Sequence, residues 1–218
     1  MSDIYNIKDV NIDELKFSSV RSKTGRRYIS VFYNKKPLVL VLPKLRVPFN
    51  SQISMYNALE FNMSLDDKEE LKNNLMALDK KMVEYAKVNN WFNDDNFKYN
   101  PLVKESTGDY PPNMKFKITK KDGEIVTKFF DKDKKEVQVT SDKDVLELLK
   151  AGVKVISFVE CSGVWFSEMN GVQNFGLYWK VTHLRVFPRE AKNDKISDYI
   201  FEDSSDEDKT PEDYMFDD

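Results

Sequence analysis

One cysteine and one histidine stand in 218 residues, and glycine totals only seven. The lone Cys161 excludes a disulfide within the chain. With His183 as the sole imidazole, zinc sites built from Cys and His clusters cannot be assembled. No glycine-rich phosphate loop and no nucleophile elbow occurs. The longest apolar run covers residues 38–42, far short of the roughly 20 a membrane-spanning helix needs. No basic-then-apolar leader opens the chain, so an intracellular, soluble protein is expected. These absences argue against an enzyme: we expect no catalytic residues, no metal and no cofactor. His183, with Val181 and Arg185 as its strand neighbours, reads as a wall residue, and Cys161 as a small buried hydrophobe.

Charge and aromatic rings are what the chain has in plenty. Charged residues make up 33%, and the 13% aromatic content comprises three Trp, ten Tyr and fifteen Phe. The net charge of −3 hides an asymmetry. Residues 198–218 hold ten acids against Lys209 alone, a net of −9, which leaves +6 for residues 1–197. A basic body with an acidic tail points to an anionic ligand for the body. Many rings sit beside cations or turns, as in Arg27-Tyr28, Lys98-Tyr99 and Tyr178-Trp179-Lys180. Binders of single strands need both parts: cations to follow phosphates and flat rings on which bases stack.

The pattern is mainly β. Strand-like segments fall at residues 15–20, 27–33 and 38–42, and residues 43–48, bracketed by Pro43 and Pro48, are expected to be extended but not central in a sheet. One long helix is expected over 65–89, capped by Ser64, with Leu71, Leu75, Leu78, Met82 and Tyr85 as its apolar stripe. A shorter helix is expected over 142–150, capped by Ser141 and closed by Gly152. Between them, Asp122-Gly123 signals a two-residue hairpin turn. Continued outward, that register sets Phe116 against Phe129 on an inner face. It sets Lys117 against Lys128, and Lys115 against Phe130, on an outer, anion-binding face. Three more strands, 153–160, 164–166 and 175–187, follow with glycine-containing turns between them. Several short strands around one helix suggest a small barrel, of which the oligonucleotide-binding fold is a five-stranded example. We divide the chain into an N-terminal extension (1–13), a barrel domain (14–190, helix 65–89 inserted) and a linker with acidic tail (191–218). The tail offers too little apolar area to fold alone.

Five stretches carry a resemblance. Pro43-Lys44-Leu45-Arg46-Val47-Pro48-Phe49, Tyr99-Asn100-Pro101-Leu102-Val103-Lys104, Tyr110-Pro111-Pro112, Cys161-Ser162-Gly163-Val164-Trp165-Phe166 and Gly176-Leu177-Tyr178-Trp179-Lys180-Val181 resemble the podophage-type single-stranded DNA-binding proteins of large nucleocytoplasmic DNA viruses. The similarity spans residues 14–187. It implies an oligonucleotide-binding barrel with a helix between its third and fourth strands, and a role in viral DNA replication or recombination. It assigns DNA contact to Lys44, Arg46, Lys104, Tyr110, Lys115, Lys117, Trp165, Trp179 and Lys180, beside the Lys128 and Phe130 of the hairpin face. For the tail, Asp213, Tyr214 and Phe216 become candidate anchors on a replicative polymerase or helicase, or on a second copy in a homodimer. Phe216 is followed by Asp217-Asp218, whereas the phage members end on the aromatic. The implied location is the viral replication site in host cytoplasm or nucleus, or the virion. A different class, a structural or assembly protein binding only proteins, would also account for an acidic tail.

Overall fold

The computed structural model describes residues 3–23, 25–92, 96–105 and 110–189. Its axis is one long antiparallel hairpin, Lys154–Met169 against Val172–Phe187. Asn170 and Gly171, at φ 54° and 74°, make the turn, and a double left-handed pair matches the twist of the strands it joins. Lys36–Arg46 lies antiparallel along the first arm. Asn113–Ile118 and Lys128–Phe130 both run parallel to the second arm, and Leu59–Ser64 pairs antiparallel with Asn113–Ile118. The architecture is therefore mainly β. The pairing path runs from Lys16–Phe17 to Gln52–Ile53, and among the described residues no hydrogen-bonded pair joins its two ends.

Three strand expectations need correction. The segments 153–160 and 164–166 are one strand, because Gly163 is a bulge and not a turn. Gly163 has φ 142°, and a Cβ there would stand 2.2 Å from the Ile29 carbonyl oxygen. Only a residue without a side chain lets the strand Arg26–Ile29 come that close. Likewise, Lys36–Arg46 runs unbroken through Pro43. The register shifts opposite Val155 and Ser157, so the exposed proline sits at an irregularity, where its missing N–H costs no ladder bond.

The hairpin around Asp122-Gly123 is the third. Lys120 pairs with Ile125 and Lys121 with Glu124, in the expected register, and Val126 still donates to the Thr119 carbonyl. Then the strands part. The Thr127 hydroxyl bonds the Val181 carbonyl at 2.7 Å, and each strand finds a different place along the long hairpin. Phe116 faces Phe61 instead of Phe129, Lys117 faces Glu60, and Lys128 faces His183. Neither Lys117–Lys128 nor Lys115–Phe130 is a pair.

The main helix spans Glu69–Val88, later than its sequence pattern suggests. Ser64 ends a strand, and its hydroxyl accepts from the Asp66 N–H in a local turn. Asp67 takes φ 54°, and the Leu65 N–H is held by the Pro112 carbonyl, so the helix starts only after Lys68, which lends no side-chain cap. Leu71, Leu75, Leu78 and Met82 are buried, with Ala86 extending the stripe, while Tyr85 is half-buried. The short helix, Asp142–Leu148, begins with a reciprocal capping box between Ser141 and Asp144. Leu40, Leu42, Phe61, Met63, Met114, Phe116, Val181 and Leu184 fill the sheet's inner face, and Ile7 and Val10 near the N-terminus join the same core. Among the described residues no helix is long and apolar enough to cross a membrane.

Candidate nucleic-acid interface

Residues directly opposite on neighbouring strands share a face of the sheet. That rule assembles the outer face from register alone. Trp165 opposes Gly176, Glu160 opposes Lys180, Lys117 lies between Lys180 and Glu60, and Lys104 opposes Asn113, two residues before Lys115. Tyr178 shares the Gly176 and Lys180 side by simple alternation. Four lysines, one indole and one phenol thus emerge on one surface.

All but Lys180 line a groove of about 530 Å³ bounded by Lys104, Lys115, Lys117, Trp165, Tyr178, Trp179 and the segment Asn100-Pro101-Leu102. Gly176 lets the indole lie down: a Cβ there would stand 3.0 Å and 3.1 Å from ring atoms of Trp165 and 2.9 Å from the Asn100 carbonyl oxygen. Both cationic walls are anchored by acids. Glu60 is buried, and Lys115 ion-pairs with it, while Lys117 stands 3.6 Å from its other oxygen. Two ammonium groups over one carboxylate leave a net positive charge and a fixed lysine geometry.

The opposite rim is held from below by the helix. Asp79, itself buried, accepts hydrogen bonds from the Tyr99 hydroxyl at 2.5 Å and from the Leu102 and Val103 N–H groups at 3.0 Å and 3.3 Å. Burial pushes this carboxyl above the usual range, against the pull of those three donors. Tyr99 is in turn pushed well up by burial and by the neighbouring carboxylate.

The remaining candidates fall in several places. Lys180 is on the outer face next to the groove. Lys128 and Phe130 are on that face too, but farther along the second arm, opposite His183 and Arg185, and the Phe130 ring stacks on the imidazole at 6.0 Å. Lys44 and Arg46 lie at the far end: the Lys44 ammonium is 3.8 Å above the Phe187 ring, and Arg46 reaches Asp66 at 3.8 Å. Tyr110 is 68% exposed and does not line the groove. Asp213, Tyr214 and Phe216 lie outside the described residues.

Trp179 is a correction. It opposes Cys161 on the inner side and is only 5% exposed, so it offers no open face for stacking. Its Nε1 is buried without a hydrogen-bond partner among the described residues. The exposed ring is its neighbour Tyr178, at 43%. Alternation could have found it, since a residue adjacent to Lys180 cannot share the face of Lys180 in a regular strand.

His183 is not a neighbour of both Val181 and Arg185 on one face. A register shift at Thr182 turns Val181 inward while His183 and Arg185 stay outward. Burial and the nearby Lys128 hold the imidazole below its ordinary range. Cys161 is buried, and burial pushes its thiol up to about 12, so it stays protonated and unreactive. Among the described residues no group of three or more His, Cys, Asp or Glu side chains is placed to hold a metal ion.

Against solved structures, the chain is similar to the single-stranded DNA-binding protein gp2.5 of bacteriophage T7, with 9% identity and TM-score 0.48 over 80% of this chain and 99% of that one. It is similar also to the single-stranded DNA-binding protein of bacteriophage Enc34, with 10% identity and TM-score 0.43 over 80% and 90% of the two chains. The Enc34 protein in complex with single-stranded DNA gives 11% identity and TM-score 0.41 over 78% and 94%. No family model and no curated sequence matches.

Proposed function

We propose that this chain binds single-stranded DNA without sequence preference, as a binding protein and not an enzyme, in the groove between Trp165 and Tyr178 and the lysines around them. One observation carries the reading: the sheet register gathers Lys104, Lys115 and Lys117 around two accessible rings in a single open groove. Phosphates pair with the ammonium groups, and bases stack on rings at roughly 1–3 kcal/mol each. Stacking is indifferent to base identity, and no array of amide or guanidinium groups reads base edges in this groove.

We read the curled sheet as an oligonucleotide-binding barrel with the helix inserted between strands. The 3.6 Å contact of the Ser157 hydroxyl with the Met63 sulfur, linking the two sides of the sheet across its interior, supports that reading. The motif resemblance supports a role in viral DNA replication or recombination. The −9 of residues 198–218 beside a body of +6 supports competition of the acidic segment with DNA, and contact with a polymerase, a helicase or a second copy.

Titration of the three tryptophans with oligo-dT at two salt concentrations tests the reading. Fluorescence should quench, and log affinity should fall with log salt by about 0.7 for each phosphate contacted. A folded protein whose emission ignores oligo-dT at low salt would refute it. The assembly-protein alternative draws on Met55 and Tyr56, 90% and 81% exposed beside the edge strand Gln52–Ile53. Under that reading these two side chains bind a partner and the groove stays empty.

A further inference from the structure

The outer face does not end at the groove. The register shift at Thr182 reverses the alternation of the second arm, and this keeps His183, Arg185 and Phe187 on the side of Tyr178 and Lys180. Their opposite numbers continue the surface: Lys128 beside His183, Phe130 beside Arg185, and Lys154 between Phe187 and Arg46. At the end of this stripe is a second pocket, of about 310 Å³, bounded by Lys44, Lys132, Gly152, Lys154, Phe187 and Arg189.

The second pocket is unlike the first in how its charge is held. Among the described residues, no acid lies within ion-pair distance of Lys44, Lys132, Lys154, Arg185 or Arg189. The Phe187 ring is already covered by cations, the Lys44 ammonium at 3.8 Å and the Arg185 guanidinium at 4.8 Å from its centre. Arg185 donates one N–H to the Lys132 carbonyl, and its Nε is buried without a partner among the described residues. Asp131 feels the charge of Arg185 from beyond ion-pair distance, while one of its oxygens accepts from the N–H groups of Asp133 and Lys135. Arg46, which reaches Asp66 at 3.8 Å, stands directly opposite Lys154, which has no acid beside it among the described residues. Such a cluster is relieved by an anion.

We propose that this pocket is a phosphate-binding site for the same DNA strand, engaged after the strand has left the groove and run along the stripe. The inference rests on the single-strand reading of the groove. From Tyr178 to Phe187 is nine residues along one arm, roughly 30 Å at about 3.3 Å per residue. Short oligonucleotides fill the groove alone, and longer ones reach both. The groove grips bases and phosphates, whereas the pocket grips phosphate only.

The test compares oligo-dT of about 4 and about 16 nucleotides, the span of site sizes seen for such domains. Lys44→Ala with Lys154→Ala, both at exposed positions, is set beside Lys117→Ala in the full-length protein. The pocket variant should lose several-fold affinity for the longer oligomer, with a salt slope shallower by about 0.7 per lost phosphate, and bind the shorter one as before. Lys117→Ala should weaken both lengths. Equal loss on both lengths, or none on either, overturns the pocket. A gain in affinity also overturns it, because the pocket would then be holding an anionic part of the chain itself. If the pocket variant loses affinity while Lys117→Ala changes neither length, the groove reading falls and the pocket stands.

Discussion

Tyr99 donates a 2.5 Å hydrogen bond to the buried carboxylate of Asp79, and through that contact the helix holds the rim of the groove. The same carboxylate takes the N–H groups of Leu102 and Val103, so residues 99–103 are fixed by one side chain on another element. Lys104 follows at once, facing Asn113 on the sheet. A buried acid on the helix thus sets where a groove lysine stands.

Replacing that acid should therefore act on stability and on binding together. Asp79→Asn keeps one acceptor and introduces two donors among three donors, leaving buried N–H groups unsatisfied. A loss of about 1–3 kcal/mol in chemical denaturation is expected. Oligo-dT affinity should fall as well under conditions where the variant remains folded, since Lys104 is no longer positioned. The sign of the pH effect follows from the raised carboxyl. The folded chain holds this proton to higher pH than the unfolded chain does. The resulting stability is present below the unfolded value of 3.8 and is lost as pH rises through the raised one. Acidification through that window should favour the wild type over Asp79→Asn, as read from denaturation midpoints at each pH.

The two neighbouring rings separate stacking from packing. Tyr178→Ala should cost roughly 1–3 kcal/mol of oligo-dT affinity and little stability, because its ring is on the open side. Trp179→Ala should cost about 3–5 kcal/mol of stability, as expected for a large ring removed from a core. Paired denaturation and binding curves decide it, and the reverse outcome would mean the faces have been assigned backwards.

What was legible in the sequence is the chemistry, and what was hidden is the register. Lysine and aromatic content, the helical stripe of Leu71, Leu75, Leu78 and Met82, the Ser141 cap and the Asp122-Gly123 turn are all local signals, and each has its counterpart in the structure. Lys115 and Lys117 reach the groove as outer-face residues, though both pair with Glu60 and not with Phe130 and Lys128. The faults arise where tertiary contact overrides local pattern. The two strands of the Asp122 hairpin separate because Asn113–Ile118 pairs with Leu59–Ser64 as well as with the second arm, while Lys128–Phe130 pairs farther along that arm. Gly163 looks like a turn residue until the Ile29 carbonyl is seen pressed against it. The single extra residue at Thr182, invisible to any periodicity, decides which side His183 and everything beyond it will face.

Gly163→Ala follows from the same close approach. The new methyl would stand 2.2 Å from backbone oxygen, in a conformation of φ 142° that L side chains rarely adopt. Neither the strand nor Ile29 can yield without breaking the pairing of Val164 with Ile29 and of Trp165 with Tyr28. The expected result is loss of cooperative unfolding, or a melting temperature lowered by well over ten degrees. A near-wild-type melt would show that the bulge relaxes freely.

Removing residues 198–218 takes away a charge of −9 and leaves a body of +6. If that segment competes with DNA, its removal should tighten oligo-dT binding most at low salt and converge with the full chain as salt screens the competition. Unchanged affinity at low salt would end the competition. The proposed anchors Tyr214 and Phe216 are separated from the charge by replacing both with Ala, which leaves Asp213 and the net −9 in place. That variant should leave DNA affinity near that of the full chain and abolish only a protein contact.

The last expectation uses the sole histidine as a reporter of where the strand runs. His183 is packed between the Phe158 and Phe130 rings, bonded to the Thr182 hydroxyl, and faced by Lys128, with Glu136 as the nearest acid. Burial and Lys128 depress its proton affinity, so in the free protein the imidazole is neutral at pH 7. The depressed value means that stability from this group is present above the unfolded 6.5 and is lost as pH falls through the folded value. A phosphate chain along Lys180, Lys128 and Arg185 would offset the lysine's repulsion and raise the imidazole's proton affinity. DNA binding should then take up protons, and affinity for long oligo-dT should increase from pH 7.5 toward pH 6. With one histidine in the chain, its ring protons give a single assignable titration by NMR, recorded with and without oligonucleotide. An upward shift with long oligomers alone places the strand over His183. A titration that does not move with either length means the strand leaves the sheet before reaching it.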